Sequence, residues 1–306
     1  MNKKWNTILV IFIFLVFIGY IITDKVLEKK SAPIKSKLVD TSGIVDQWTI
    51  SKVFEPGKGQ LNAVSVSKNG NISLGGESFV ALYNPDFKLL WEYETNMPVT
   101  ALTISGDDVY AAVQGLIVVL NTKGEKIGEW GPFEDNSMIT SLASNDLYVT
   151  FADAANKLVF VLDKKGIVKT IIGNTGEPFI IPSPYFDVAI GNDNLLYIAN
   201  TGKLRIETRN IDGTLLGYFG KSGTDPDAFC GCCNPEHFAL TPDGFITAEK
   251  GLNRIKILNK KGEFVEMVSS VNNFVPPLPL DVSSADGTII YAANTADSKL
   301  YVFKRK

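Results

Sequence analysis

The residues of this chain best suited to chemistry crowd into one short stretch. All three cysteines and the only histidine fall within eight positions, Cys230-Gly-Cys232-Cys233-Asn-Pro-Glu-His237. Thiolates with an imidazole suit Zn²⁺, Cu(I) or an iron–sulfur centre. A metal ion or iron–sulfur centre held by Cys230, Cys232, Cys233 and His237 is therefore one reading. Adjacent cysteines on so short a loop have difficulty all pointing at one tetrahedral ion, although a metal could be shared with a partner protein. No second C-x₂-C pair completes a zinc ribbon, and Asn234 stands where covalent haem attachment needs a histidine.

A second reading is redox. Cys230 and Cys233 have the C-x₂-C spacing that cycles between dithiol and disulfide, with Cys232 spare as a nucleophile. The third is structural: in an oxidising compartment a Cys230–Cys233 bridge staples the loop, leaving one odd thiol. His237 has an alternative of its own, as a hydrogen-bonded core residue at the head of a strand.

The elements that must position this stretch repeat along the chain. From residue 47 onward an alternating apolar strand meets a Gly or Asn turn, and then comes a strand of Tyr, Ile and small residues. A polar loop, an apolar strand, a tight turn and a final strand ending in an aromatic or Gly complete the unit. The clearest copies run from Tyr185 to Gly220 and from His237 to Val268. Turn pairs mark the others: Asn69-Gly70 and Pro85-Asp86, Gly106-Asp107 and Lys123-Gly124, Asn145-Asp146 and Lys165-Gly166. Glycine at such positions supplies the positive φ that tight hairpins require. This is the spacing of four-stranded propeller blades, about 40–45 residues each.

The last unit, from Leu278, has three strands, and Gln47–Phe54 is one orphan strand. Placing that strand outermost in the last unit closes a ring of six blades and leaves no unpaired edge. The expected fold is all-β, a six-bladed β-propeller over 47–306. In such blades the cysteine segment and the loop after each second strand share one face. Glu249, Lys250 and Arg254 of the same blade, with Asn200 and Asn294 of others, are the binding candidates there.

The pattern Tyr197-Ile-Ala-Asn-Thr-Gly before Lys203-Leu-Arg-Ile206, and Phe245-Ile-Thr-Ala-Glu-Lys-Gly before Asn253-Arg-Ile255, resembles the NHL-repeat propellers. The resemblance covers about 47–306. The run from Cys230 to His237 is similar to a subset of bacterial NHL-like propellers carrying Gly-Cys-Cys-Asn-Pro before a blade, which implies a shared purpose for the loop without naming a reaction. Where the family pattern has an Asp after the second strand, this chain has Asn200, Glu249 and Asn294, with Asp153 the nearer match. Propellers of this kind serve as enzymes, receptors and scaffolds, so the fold assigns no activity.

Ahead of the propeller, Thr7 to Thr23 is apolar and Ile8 to Ile22 carries no charge. Seventeen helical residues reach about 25 Å, the short end of a bilayer span. Trp5 and Tyr20 suit the two interfaces, and Lys3 and Lys4 favour a cytoplasmic N-terminus, although Lys25, Lys29 and Lys30 follow the segment. No small-residue cleavage pattern follows it. The expectation is a cytoplasmic N-terminus over 1–6, a signal-anchor helix over 7–23 and a linker over 24–46. The protein would sit in the cell membrane, single-pass, with the propeller on the extracytoplasmic side and a redox or protein partner on its face.

Residues 1–38 carry a balance of +5, which leaves −8 on the remainder of a chain of net charge −3. An acidic body is a poor match for a phosphate backbone, so nucleic acid is not an expected partner. No Gly-rich phosphate loop opens a helix. A single histidine excludes multi-histidine metal chemistry, and no acid–base constellation singles out catalytic residues. A propeller that binds a metal, cofactor or redox partner through the cysteine loop stands beside one that is a protein-interaction scaffold with a stapled loop.

Overall fold

The computed structural model describes residues 45–106, 108–231, 234–251, 254–270 and 280–306. The segment 7–23 and the linker as far as residue 44 lie outside the described residues, as do Cys232 and Cys233. Among the described residues no helix is long and apolar enough to cross a membrane.

Alternating apolar strands joined by tight turns pair with their sequence neighbours, because short loops bring antiparallel partners together first. Five sheets are built this way, over 61–94, 99–130, 139–172, 188–219 and 237–269. The sixth contains Leu280–Ser283, Ile289–Asn294 and Lys299–Arg305, and Trp48–Phe54 completes it as the outermost strand. Trp48 pairs with Arg305 and Phe54 with Leu300, with one register shift between Ile50 and Lys52. The architecture is a six-bladed β-propeller closed by strands from both ends of the described chain.

Each blade is covered on both faces by its neighbours, so its middle strands lack a polar side. Ile72–Gly76 and Phe79–Tyr83 are buried at every position. Leu61, Leu74 and Ala81 of the first blade pack with Tyr291, Ala293 and Leu300 of the sixth, which makes the seam an ordinary interblade core. Outer strands, with one face and one edge in solvent, expose residues such as Leu90 and Ile127.

One packing device recurs around the ring. An aromatic residue on the outer strand of one blade lies on a turn glycine of the next. Gly124 has φ +77° with Trp91 against it, Gly166 has φ +81° with Trp130, and Gly262 has φ +79° with Phe219. A Cβ at Gly166 would stand 2.6 Å from the Trp130 ring, so both the backbone conformation and the space demand glycine.

Candidate functional site

The cysteine segment crosses from the outer strand of blade four, which ends at Phe219, to the inner strand of blade five, which begins at His237. Its course is set from beneath by ions of blade five. Arg254 donates to the carbonyls of Thr224, Asp225 and Ala228 at 3.0, 3.1 and 2.8 Å. Lys256 Nζ donates to the Ala228 carbonyl at 2.6 Å and lies 2.7 Å from the Glu249 carboxylate. Glu249 also takes Arg254 Nε at 3.0 Å and the backbone N–H of Cys230 at 3.4 Å. All three charged residues are buried. Burial lowers Lys256 to about 8, against the pull of Glu249.

The far end of the segment is tied by Asn234. Its Nδ2 donates to the carbonyls of Cys230 and Lys250 at 2.8 and 3.0 Å, and its Oδ1 accepts the Lys250 N–H at 3.0 Å. The Cys230 thiol is turned inward, 3.5 Å from the Lys250 carbonyl and 3.4 Å from Asn234 Nδ2, and the residue is 8% exposed. Lys250 Nζ lies 3.3 Å from buried Glu236 and 4.1 Å above the Tyr185 ring. Burial raises the Glu236 carboxyl above its ordinary range, with His237 and Lys250 opposing.

His237 keeps different company. Its Nδ1 lies 3.7 Å from the Asp187 carboxylate and 3.8 Å from that of Asp281. These acids belong to the blades on either side. Asp187 accepts the Ser141 hydroxyl of blade three and the Phe238 N–H of blade five, the latter at 2.6 Å. Asp281 accepts the Val64 N–H of blade one at 2.7 Å. Burial alone would lower His237, but Asp187, Asp281 and Glu236 outweigh it and raise the imidazole to about 9. Burial raises Asp281 to about 6, with the His237 cation opposing.

The candidates from the sequence therefore divide. Cys230, Glu249, Lys250 and Arg254 come together in one network, as their shared face requires. Cys230 and His237 engage separate sets of neighbours. Cys232 and Cys233 lie outside the described residues. Among the described residues no group of three His, Cys, Asp or Glu side chains is arranged to hold a metal ion.

Asn200 and Asn294 are buried at the ends of their second strands. Asn200 accepts the Ile180 N–H at 3.0 Å and donates to Glu207, while Asn294 accepts the Ala296 N–H at 3.1 Å. Asp153 holds the Met138 N–H in the same way as Asn200 holds Ile180. At this position Asp153, Asn200 and Glu249 each tie down the segment that enters their blade.

Sequence reasoning missed Asp187 and Asp281. Asp187, His237 and Asp281 occupy equivalent places at the heads of three inner strands, opposite Ala199, Ala248 and Ala293. An acid heading an otherwise apolar strand in the two flanking blades was the available signal.

No protein-family model matches the chain, and no curated protein matches it in sequence. Solved structures share its architecture. A streptogramin B lyase matches with a TM-score of 0.59 at 15% identity, covering 85% of this chain and 88% of its own. A catalytically inactive virginiamycin B lyase from Staphylococcus aureus, crystallised with quinupristin, gives 0.57 at 16%, covering 82% and 83%. A chain of the mitotic checkpoint complex gives 0.58 at 12%, covering 84% and 91%. At such identities the likeness is one of fold.

Proposed function

We propose that this chain is a membrane-tethered binding propeller that engages a thiol–disulfide redox partner through its cysteine segment. The tether is the apolar stretch 7–23, and the propeller faces the extracytoplasmic side. The observation that carries the reading is the buried clamp of Glu249, Arg254 and Lys256 beneath the segment. Taking such charges out of water costs several kcal/mol per ion unless hydrogen bonds and partners offset it. Here the hydrogen bonds of Arg254 and Lys256 hold the backbone that leads into Cys230. An approach to Cys230 fixed so firmly suits a role that depends on where that thiol is held.

A redox role fits the donor set better than a four-ligand metal centre, because Cys230 and His237 are committed to different surroundings. The exchange balances simply. Cys230 and Cys233 lose two thiol protons and two electrons as their disulfide forms, and a partner disulfide gains them as its S–S bond breaks. Cys230 is buried, so attack on the incoming disulfide falls to Cys233, and Cys230 resolves the mixed disulfide.

Trapping tests this order. With oxidised glutathione, Cys230→Ser should accumulate a mixed disulfide on the full-length chain in detergent, whereas Cys233→Ser should not. Equal labelling of both variants, or of neither, would contradict the proposal. A stoichiometric metal on the native chain would favour the metal reading instead.

A further inference from the structure

The channel beside His237 has a composition of its own. The six inner strands place Ala63, Ala101, Ser141, Asp187, His237 and Asp281 at equivalent positions, as their pairing with the second strands fixes. Half of this ring is small and half is ionic. A cavity of about 200 Å³ lies along the axis, walled by the three ionic residues and by hydroxyls that include Ser65, Thr103, Ser144 and Ser283.

His237 is oriented by its neighbours. Its Nδ1 lies 3.7 and 3.8 Å from the Asp187 and Asp281 carboxylates, and the ring stands on the wall of the cavity. A charged imidazole beside two carboxylates thus lines a polar cavity.

We infer that this cavity is a small-molecule site, separate from the cysteine segment, that takes a neutral polyhydroxy ligand through the His237 imidazole and the surrounding hydroxyls. Charge selects the class. An anion would meet two aspartates behind a single imidazolium, and a cation would find both carboxylates already engaged by the imidazolium and by Ser141, Phe238 and Val64. An apolar molecule would strip water from hydroxyls and offer nothing in return. Volume selects the size, since 200 Å³ is the share of roughly seven waters at about 30 Å³ each. That admits a polyol or single sugar and excludes drug-sized ligands, whose pockets begin near ~300 Å³.

The single histidine makes the test direct. Full-length chain in detergent, labelled with ¹⁵N-histidine, gives one imidazole to follow while glycerol, glucose, acetate or methylammonium is added. Glycerol or glucose should shift Nε2 saturably in the millimolar range, and the two ions should not. Thr103→Val, close to isosteric, should weaken the response about fivefold, the equivalent of one hydrogen bond. No saturable shift with either polyol would overturn the inference. So would a stronger response to acetate or methylammonium. Neither result touches the cysteine chemistry, which is read by thiol trapping.

Discussion

The side-chain amide of Asn234 pairs with the peptide group of Lys250 in both directions, accepting its N–H at 3.0 Å and donating to its carbonyl at 3.0 Å. One side chain thereby stands in for a strand residue at the edge of blade five. It also grips the Cys230 carbonyl, so the cysteine segment is docked on the sheet by groups that only an amide supplies together. Asn234→Ala should cost about 1–3 kcal/mol, the penalty for buried backbone groups left without partners. The change should also speed alkylation of Cys230. Denaturant unfolding and thiol labelling measure the two effects, and normal stability with unchanged labelling would deny the docking role.

The clamp beneath the segment predicts an asymmetry between two substitutions. Glu249→Gln leaves Arg254 and Lys256 buried with no counter-ion, a situation that costs about 3–5 kcal/mol. Lys256→Met removes a cation while Arg254 still satisfies both Glu249 and the Ala228 carbonyl, so its cost should stay near ~1 kcal/mol. Equal losses for the two variants would show that the network is not organised around Glu249.

His237 should make stability depend on pH with a definite sign. Its folded value of about 9 lies above the ordinary 6.5, so its contribution is complete below pH 6.5 and is lost as pH rises through about 9. The stability gap between native protein and His237→Gln should accordingly narrow from pH 6.5 to 9. Comparing the two proteins cancels Lys256, whose contribution changes in the opposite sense between about 8 and 10.5. A gap that is constant with pH would mean that His237 is not held as a cation.

The turn packing predicts a local failure. Gly166→Ala forces a side chain into a left-handed backbone and against Trp130. A loss of about 1–3 kcal/mol is expected from strain and overpacking together. Gly176 also has positive φ but open space around it, so Gly176→Ala should cost only the backbone part.

The propeller was legible because its signals are local and repeated. Turn pairs such as Lys165-Gly166 fix the hairpins, and the apolar middle strands follow from burial on both faces. The seam was legible too, since an orphan strand at Gln47 and a three-stranded last unit complement each other. The site was read less well for a reason of distance. Asp187 and Asp281 meet His237 only because the ring brings three blade edges together, and nothing near His237 in the chain announces either acid. Asn200 and Asn294 looked like face residues because they end strands on the correct side. Their side-chain oxygens accept backbone N–H groups of Ile180 and Ala296, a use that sequence position alone does not reveal.

The redox couple proposed for the cysteine segment has a direct solution signature. Equilibrating the full-length chain without oxygen across a dithiothreitol redox series, then counting thiols and bound metal, tests it most directly. A single two-electron transition is expected, in which two of the three thiols disappear together, with no stoichiometric metal and no transition in Cys233→Ser. Three thiols unchanged across the series, or a metal bound one to one, would contradict it.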